Sequence, residues 1–442
     1  MTDRIPFFKS TQTGGVARAF QPRLEEYISV KDFGAKGDGV TDDTAAIQAA
    51  INYANSIGGG SVMFPPALYY TTGTLTLKNN VDLIGVGSGP YDTQLNPMTN
   101  VTAPTLLVTN TTNPFVAQPA GALGSNVIAN LLFAYPNQVD PTVANSPTVY
   151  PSTIYLPGGT CTIRGCTFVN GYDSIQIANG RCIVDSCKIG SYHIGIQIDV
   201  GVDYEILSNL QFIPLHDYSL GVSYPSHIDN VYCQSNSEAI RLKRCDGLQA
   251  TNIGVFGSFA ACITMFDGFG GYAGYGNFAN VDLDLRTGYG INCQSSRSAA
   301  GGYHFSNLNI GASAASNAAI LLSSGGSDTP LVCVSNGAIR GTWSIASTIV
   351  QAGTLIVENM RGLDVPQVNV TTPGFPGSGV SVTNTFPFRI QVLTNFNGAA
   401  VTSITINGTA IGTTPASMVL QPNATVVYSY SGGPPTWTWF TA

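Results

Sequence analysis

The sequence predicts an all-β chain: a right-handed parallel β-helix, a single-stranded solenoid of about ten or more coils. A short helix caps its N-terminal end, and a small β-sandwich follows it. Three observations predict this. A short apolar motif recurs along most of the chain. Each copy carries a turn-tolerant residue at the same place. Charge is scarce, at 10% of the 442 residues against about 25% in an average soluble protein. Glycine, asparagine, serine and threonine replace it, as suits many short strands and turns rather than long exposed helices.

The repeat shows first in two stretches that align without gaps, "CTIRGCTFVNGYDSIQIANG" from Cys161 and "CIVDSCKIGSYHIGIQIDVG" from Cys182. The shared core reads apolar, any, small polar, apolar, any, apolar. Its central residue is Asn130, Gly165, Ser186, Asn209, Asn230, Asn252, Asn280, Asn307, Asn336 and Asn359 in successive copies. From Gly165 on, the spacing varies between 21 and 29 residues. That suits a coil of constant cross-section with loops of variable size. The central residue marks a sharp bend needing a left-handed backbone, which Asn and Gly tolerate best. Stacked asparagines can also hydrogen-bond along the column. Ten coils at about 4.8 Å each make a shaft about 50 Å long. The four cysteines then read as small inward residues stacked in successive coils, neither a zinc site nor disulfides. A further strand in each coil has Gln176, Gln197, Gly221, Arg241, Thr264 and Asn292 as its outward column.

Both ends differ from the shaft. Residues 1–27 are polar and irregular. Residues 28–90 form the cap, in which 42–54, "DDTAAIQAAINYA", is the one clear helix. Thr41 is its expected N-cap, and Asp42 and Asp43 lie where the helix dipole favours anions. The shaft runs over 91–364. Residues 365–380 read as a linker, and 381–442 as short strands with turn signals.

Composition excludes several classes. The net charge is −7 and no basic run occurs, so nucleic-acid binding has no electrostatic support. No apolar stretch is long enough to span a bilayer, and "MTDRIPFFKSTQ" lacks the pattern of a secretory signal. Nine cysteines without such a signal point to free thiols. The histidines at 193, 216, 227 and 304 have no metal-like spacing, so neither metal nor cofactor is expected. "GAKGDG" at 34–39 lacks the ending of a phosphate loop.

The segments "SVKDFGAKGDGVTDDTAAIQAAI", "GGGSVMFPPALYYTTGTLTL" and "VDLIGVG" resemble the N-terminal signature of the pectate-lyase-like β-helix superfamily, in particular bacteriophage tailspikes and capsule depolymerases. "TGGVARAFQPRLEEYISVKDFGA" resembles the tail-attachment segment that precedes this domain in phage proteins, and the end of the chain resembles a module of phage fibres. The resemblance implies a homotrimer on the virion, assembled in the host cytoplasm. Residues 1–27 would attach to the phage tail, baseplate or an adaptor, and the shaft would reach a bacterial surface polysaccharide. It specifies fold more than chemistry, because such folds carry hydrolases, lyases and binding proteins.

The candidate chemistry comes from the residues themselves. "NVDLDLRTGYG" alternates, so Asp282, Asp284 and Arg286 share the outward face. Residues two apart on a strand lie about 7 Å apart, within the carboxyl separation of an inverting glycosidase, about 6.5–9.5 Å. Gly254 and Asn309 are the expected neighbours one coil before and after. Two adjacent carboxylates favour keeping one protonated as the acid, and Arg286 holds the other or orients a sugar. A solvated strand face gives the same pattern. The loop "FDGFGGYAGYGNF" offers Asp267, Phe269, Tyr272 and Tyr275 to bind sugar rings, or to pack on another chain. "SEAIRLKRCDG" gathers Glu238, Arg241, Lys243, Arg244 and Asp246. Glu238 is a third carboxylate for hydrolysis. Arg241 and Lys243 are the cations a lyase would use on an acidic glycan, or members of a salt-bridge cluster. Asp199, two coils from Lys243 on its column, is a weaker candidate. His193 and His216 read as structural.

The expectation is therefore a glycoside hydrolase using Asp282 and Asp284 with Glu238. Arg286, Arg241, Lys243 and the aromatic loop would bind substrate. A lyase, a non-enzymatic receptor-binding or structural tail protein, and a cellular glycan enzyme are the alternatives.

Overall fold

A computed structural model describes residues 7–19, 26–87, 102–119, 121, 124–139, 146–201, 204–213, 231–266, 274–296, 300–312, 316–323, 329–341, 348–361, 372–386, 389–415 and 417–441. The shaft is a parallel β-helix whose strands pair coil upon coil into one continuous sheet of 25 strands. Each coil makes three passes. One coil shows them at 276–279, 281–285 and 288–293, and stacking generates three longitudinal faces, here sheets A, B and C. Asn280 makes the bend between A and B. A second corner separates B from C.

The bend column follows the sequence reading in nine of its ten places. Asn130, Gly165, Ser186, Asn209, Asn252, Asn280, Asn307, Asn336 and Asn359 all have φ between 49° and 59°. This is the left-handed region that costs other residues about 1–2 kcal/mol. The side chains form a ladder. Asn252 Nδ2 donates to Asn209 Oδ1 at 2.8 Å, Asn280 to Asn252 at 3.0 Å, Asn307 to Asn280 at 2.9 Å and Asn359 to Asn336 at 2.9 Å. Below Asn209 the column holds Ser186 and Gly165, which lack an amide. Asp185 ends the ladder there, its Oδ1 accepting from Asn209 Nδ2 at 2.8 Å and Ser208 Oγ at 2.5 Å.

Inside, apolar residues stack in rows. Cys161 pairs in register with Cys182. All nine cysteines are free and eight are buried, Cys333 being half-buried. Phe133 stacks on Phe168 at 5.1 Å between ring centroids, and Phe278 on Phe305 at 4.5 Å. Burial pushes the Cys161 and Cys262 thiols up, so they act as small apolar fillers.

Asn230 lies outside the described residues. The predicted strand 220–224, with Gly221, lies outside the described residues, and Val231–Asn236 is a short helix. Gln197 pairs directly with Arg241, and Asn209 bonds directly to Asn252. Among the described residues, the coil of Asn209 is therefore followed directly by that of Asn252. "IDNVYC" has the spacing of a bend motif, but its apolar residues also suit a helical turn. Asp199 and Lys243 are consequently one coil apart, not two.

The capping helix is Thr44–Ser56, and its N-cap is Asp43 rather than Thr41, which lies in the strand Asp38–Asp42. Ile47, Ala50, Ile51 and Ala54 are its buried face. The carboxylates of this turn are used by local donors. Asp43 accepts from the Lys36 and Gly37 amides at 2.6 and 3.0 Å. Asp38 accepts from the Val40 and Thr41 amides, which hold its pKa down at about 2.

The C-terminal module has two antiparallel sheets. One joins Ser381–Thr383, Thr425–Ser431, Ala400–Ile406 and Thr409–Gly412, the other Ser417–Leu420, Ile390–Asn395 and Thr436–Thr441. Trp439, Tyr428, Ile390 and Val392 are in its core. Of the stretch read as a linker, 365–371 lies outside the described residues. Residues 372–380 lie against the module, with Trp437 Nε1 donating to Pro373 O at 2.7 Å and Phe375 against Tyr428 and Trp437.

Two outcomes follow for the ladder. Asn280→Val forces a β-branched residue into the left-handed region and removes two side-chain hydrogen bonds. It should cost about 2–3 kcal/mol, and Asn280→Gly less, measured by thermal or denaturant unfolding. Burial by itself would raise the Asp185 pKa. Hydrogen bonds from Ser208, Asn209 and Ser186 outweigh it and hold the folded value below 3.8. Its contribution is complete above the unfolded pKa and disappears as pH falls through the folded one. Wild-type stability should therefore fall more steeply below pH 3.8 than that of Asp185→Asn.

Candidate functional site

The outward side of sheet B carries the predicted carboxylates. Along Tyr275–Leu285, Val281, Leu283 and Leu285 are buried and Asp282 and Asp284 exposed. Asp282 lies in register between Gly254 and Asn309, and Asp284 between Phe256 and Gly311. Strand geometry sets the two carboxylate-bearing residues about 7 Å apart. Gly254 leaves the approach open, since a Cβ there would meet nothing nearer than Leu210 O at 3.8 Å. Among the described residues neither carboxylate has an ion-pair partner. Arg286 follows at the corner, its amide donating to Gly257 O at 3.0 Å.

Glu238, Arg241 and Lys243 belong to sheet C, two coils earlier, as Glu238 pairs with Ala261 and Ala261 with Tyr289. Every charge in this group is matched. Glu238 Oε2 lies 2.6 Å from Arg241 Nε, Asp199 Oδ1 2.6 Å from Lys243 Nζ, and Asp246 Oδ2 2.9 Å from Arg244. Asp199 is almost covered, its side chain 8% exposed. It also accepts from Gln176 Nε2 at 2.7 Å and Gln197 Nε2 at 2.8 Å. The outward column is thus Gln176, Gln197, Arg241, Thr264 and Asn292 without Gly221. Glu238 also lines a narrow cavity with Phe212, Cys233, Phe256 and Phe259. It is not brought beside Asp282 and Asp284, although Phe256 lines that cavity and pairs in register with Asp284.

At the B–C corner the structure assembles a group that the sequence reading took for a lone structural histidine. His193 Nδ1 is 2.8 Å from Asp173 Oδ1, which also accepts from the Ile194 amide at 3.0 Å. The imidazole stacks on Tyr172 at 4.6 Å and 22°. The Tyr172 hydroxyl is 3.1 Å from that of Tyr232, on the short helix Val231–Asn236. Burial, then the hydrogen bond to Tyr172, pushes the Tyr232 phenol up. A neutral imidazole donating from Nδ1 to a carboxylate keeps its lone pair at Nε2, the arrangement of a positioned base. The 21-residue offset of the cysteine-led stretches carried the signal, because it sets Tyr172 beside His193.

The other sequence candidates separate. Asp267, Phe269 and Tyr272 lie outside the described residues, as do His216 and His227. Tyr275 is opposite Asp246 at the start of its strand, before the Asn280 bend, and so not on the face of Asp282 and Asp284. Among the described residues no group of three His, Cys, Asp or Glu side chains forms a metal site, and no helix is long and apolar enough to cross a membrane.

Residues 27–133 match the family described as rhamnogalacturonase A/epimerase, pectate lyase-like. The match and the coil-on-coil pairing agree. The matched stretch is the cap and the first coils of the parallel β-helix, and there the chain is similar to the pectate-lyase-like family. Mannuronan C5-epimerase AlgE1 of Azotobacter vinelandii is 53% identical over 68 residues, 14% of this chain and 5% of that protein. The capsule K30/K69-specific Depolymerase 1 of Klebsiella phage K5-2 is 59% identical over 44 residues, 10% of this chain and 6% of that one. The chain thus matches only a small part of these curated relatives. The tailspike of Escherichia coli bacteriophage HK620, solved with a hexasaccharide, aligns over 98% of this chain and 96% of its own at 12% identity and a TM-score of 0.40. The pectate-lyase-like match ends before Tyr172, the first residue of either candidate group, so it bears on fold and not on chemistry.

Asp199→Ala should strand a half-buried lysine and two amides. A loss of about 1–3 kcal/mol is expected, and Lys243→Met in the same background should recover part of it, measured as a double-mutant cycle in denaturant unfolding.

Proposed function

We propose that this chain is a phage tailspike that binds a bacterial surface polysaccharide, whether capsule, exopolysaccharide or lipopolysaccharide O-chain, and hydrolyses it with Asp282 and Asp284. One observation carries the reading: two outward carboxylates without ion-pair partners stand on one strand, flanked in register by Gly254 and Gly311, so a sugar chain can lie against them. Their spacing suits inversion. One carboxylic acid gives its proton to the glycosidic oxygen as the bond to the anomeric carbon breaks. The other takes a proton from the water that attacks the opposite side of that carbon. Arg286, at the corner after the strand, stabilises the ionised partner or holds a hydroxyl. Three copies would assemble on the virion, with residues 1–27 toward the tail and the shaft toward the cell. The aromatic loop with Asp267, Phe269 and Tyr272 stays a proposed sugar contact.

A second reading, a lyase on an acidic glycan, is favoured by the His193–Asp173 pair at 2.8 Å. His193 Nε2 would take the proton beside the uronate carboxyl, and the bond to the leaving oxygen would break by elimination. Arg241 or Lys243 would neutralise the uronate, after giving up its present carboxylate partner.

The test is incubation with purified polysaccharides of candidate hosts. New reducing ends without an unsaturated uronate are expected, and Asp282→Asn or Asp284→Asn should lower kcat by about 10²–10⁴-fold. Full activity in both variants would overturn the carboxylate assignment. An unsaturated product abolished by His193→Ala would establish the lyase reading. Binding without any product would leave a receptor-binding protein.

A further inference from the structure

The carboxylates of sheet B stand at one end of a longer strip. Register continues from Asp282 through Asn309 and Ala338 to Arg361, and from Asp284 through Gly311 to Arg340. Asn309, Gly337, Ala338, Arg340 and Arg361 are among the residues that line one open groove. Its floor is low, because Gly311 and Ala338 stand with Asn309 between the two charged ends. Gly337 cannot be enlarged, since a Cβ there would sit 1.8 Å from Leu308 O. Arg340 and Arg361 are exposed, and among the described residues neither makes an ion pair. This contrasts with Arg241, Lys243 and Arg244, whose charges are all matched.

We propose that this groove is a subsite for a carboxylate-bearing sugar of the polysaccharide. The proposal rests on the reading that Asp282 and Asp284 face the same glycan. Three physical facts support it. Arginine forks match a carboxylate in a bidentate way. Arg340 stands two coils, about 10 Å, from Asp284, so one extended glycan spans both ends. The sign of charge reverses along the strip, which orients that glycan. A carboxylate is attracted at the arginine end and repelled beside Asp282 and Asp284. The substrate class is therefore an acidic heteropolysaccharide whose charged unit lies away from the bond that breaks. A neutral glycan would offer these arginines only hydroxyl hydrogen bonds, without the stronger charge-assisted pairing of a carboxylate.

The experiment measures retention of full-length Asp284→Asn protein on immobilised polygalacturonate, alginate, hyaluronan and purified host capsule. The same polymers with their carboxyls reduced to alcohols serve as controls. The Asn substitution keeps turnover from confounding the measurement. Binding to at least one acidic polymer is expected, with at least a tenfold loss after carboxyl reduction, after Arg340→Ala and after Arg361→Ala. Arg340→Lys should be intermediate, and added salt should weaken the binding. Unchanged affinity in Arg340→Ala and Arg361→Ala overturns the subsite, as does equal binding of the reduced polymers. Failure of the catalytic reading would show separately, as cleavage that survives Asp282→Asn and Asp284→Asn while the arginine variants still lose binding.

Discussion

The asparagine ladder at the bend between sheets A and B is the constraint on which the rest of the shaft depends. Each member does two things at once. Its backbone takes the left-handed conformation that turns the chain sharply, and its amide links one coil to the next. The turn fixes the phase of the strand that follows. Once Asn280 is placed, Val281 must point in and Asp282 out, and the same parity holds for Leu283 and Asp284. A bend one residue earlier or later would bury the carboxylates and expose the leucines. The site on sheet B is thus an outcome of backbone geometry several residues away.

Sheet B changes character along its length. Near the N-terminal cap its outward side is apolar, with Leu68, Leu107, Leu132 and Val169 buried in a cluster of their own. The strip then passes Phe256, reaches Asp282 and Asp284, and ends at Arg340 and Arg361. The inward side keeps one composition throughout. One face of a solenoid can therefore vary its chemistry coil by coil while the core beneath it stays the same.

Sheet C behaves differently. Its cations are all held by carboxylates, and Asp199 gathers two glutamines and a lysine. Such matched groups at low exposure fix side-chain positions more than they offer free charge. The short helix Val231–Asn236 adds Tyr232 to the Tyr172 hydroxyl, so the His193 group is built from two coils and that helix.

By itself, the sequence determined what depends on local backbone preference and period. The coil, the Asn, Gly and Ser bends, the inward cysteines and the outward Asp282 and Asp284 were all legible, because each follows from alternation about a bend. Misreadings arose where local pattern is ambiguous. The motif-like string around Asn230 runs into the short helix Val231–Asn236, while Asn209 bonds directly to Asn252. Thr41 is a good cap, but it lies in the strand Asp38–Asp42, and Asp43 holds that place. Only the tertiary structure decided which groups meet. Stacking one coil on another brings Asp173 to His193 and Asp199 to Lys243, and carries the line of Asp284 on to Arg340. These neighbours are 20 or more residues apart along the chain, and the variable loops between them hide their register from the sequence.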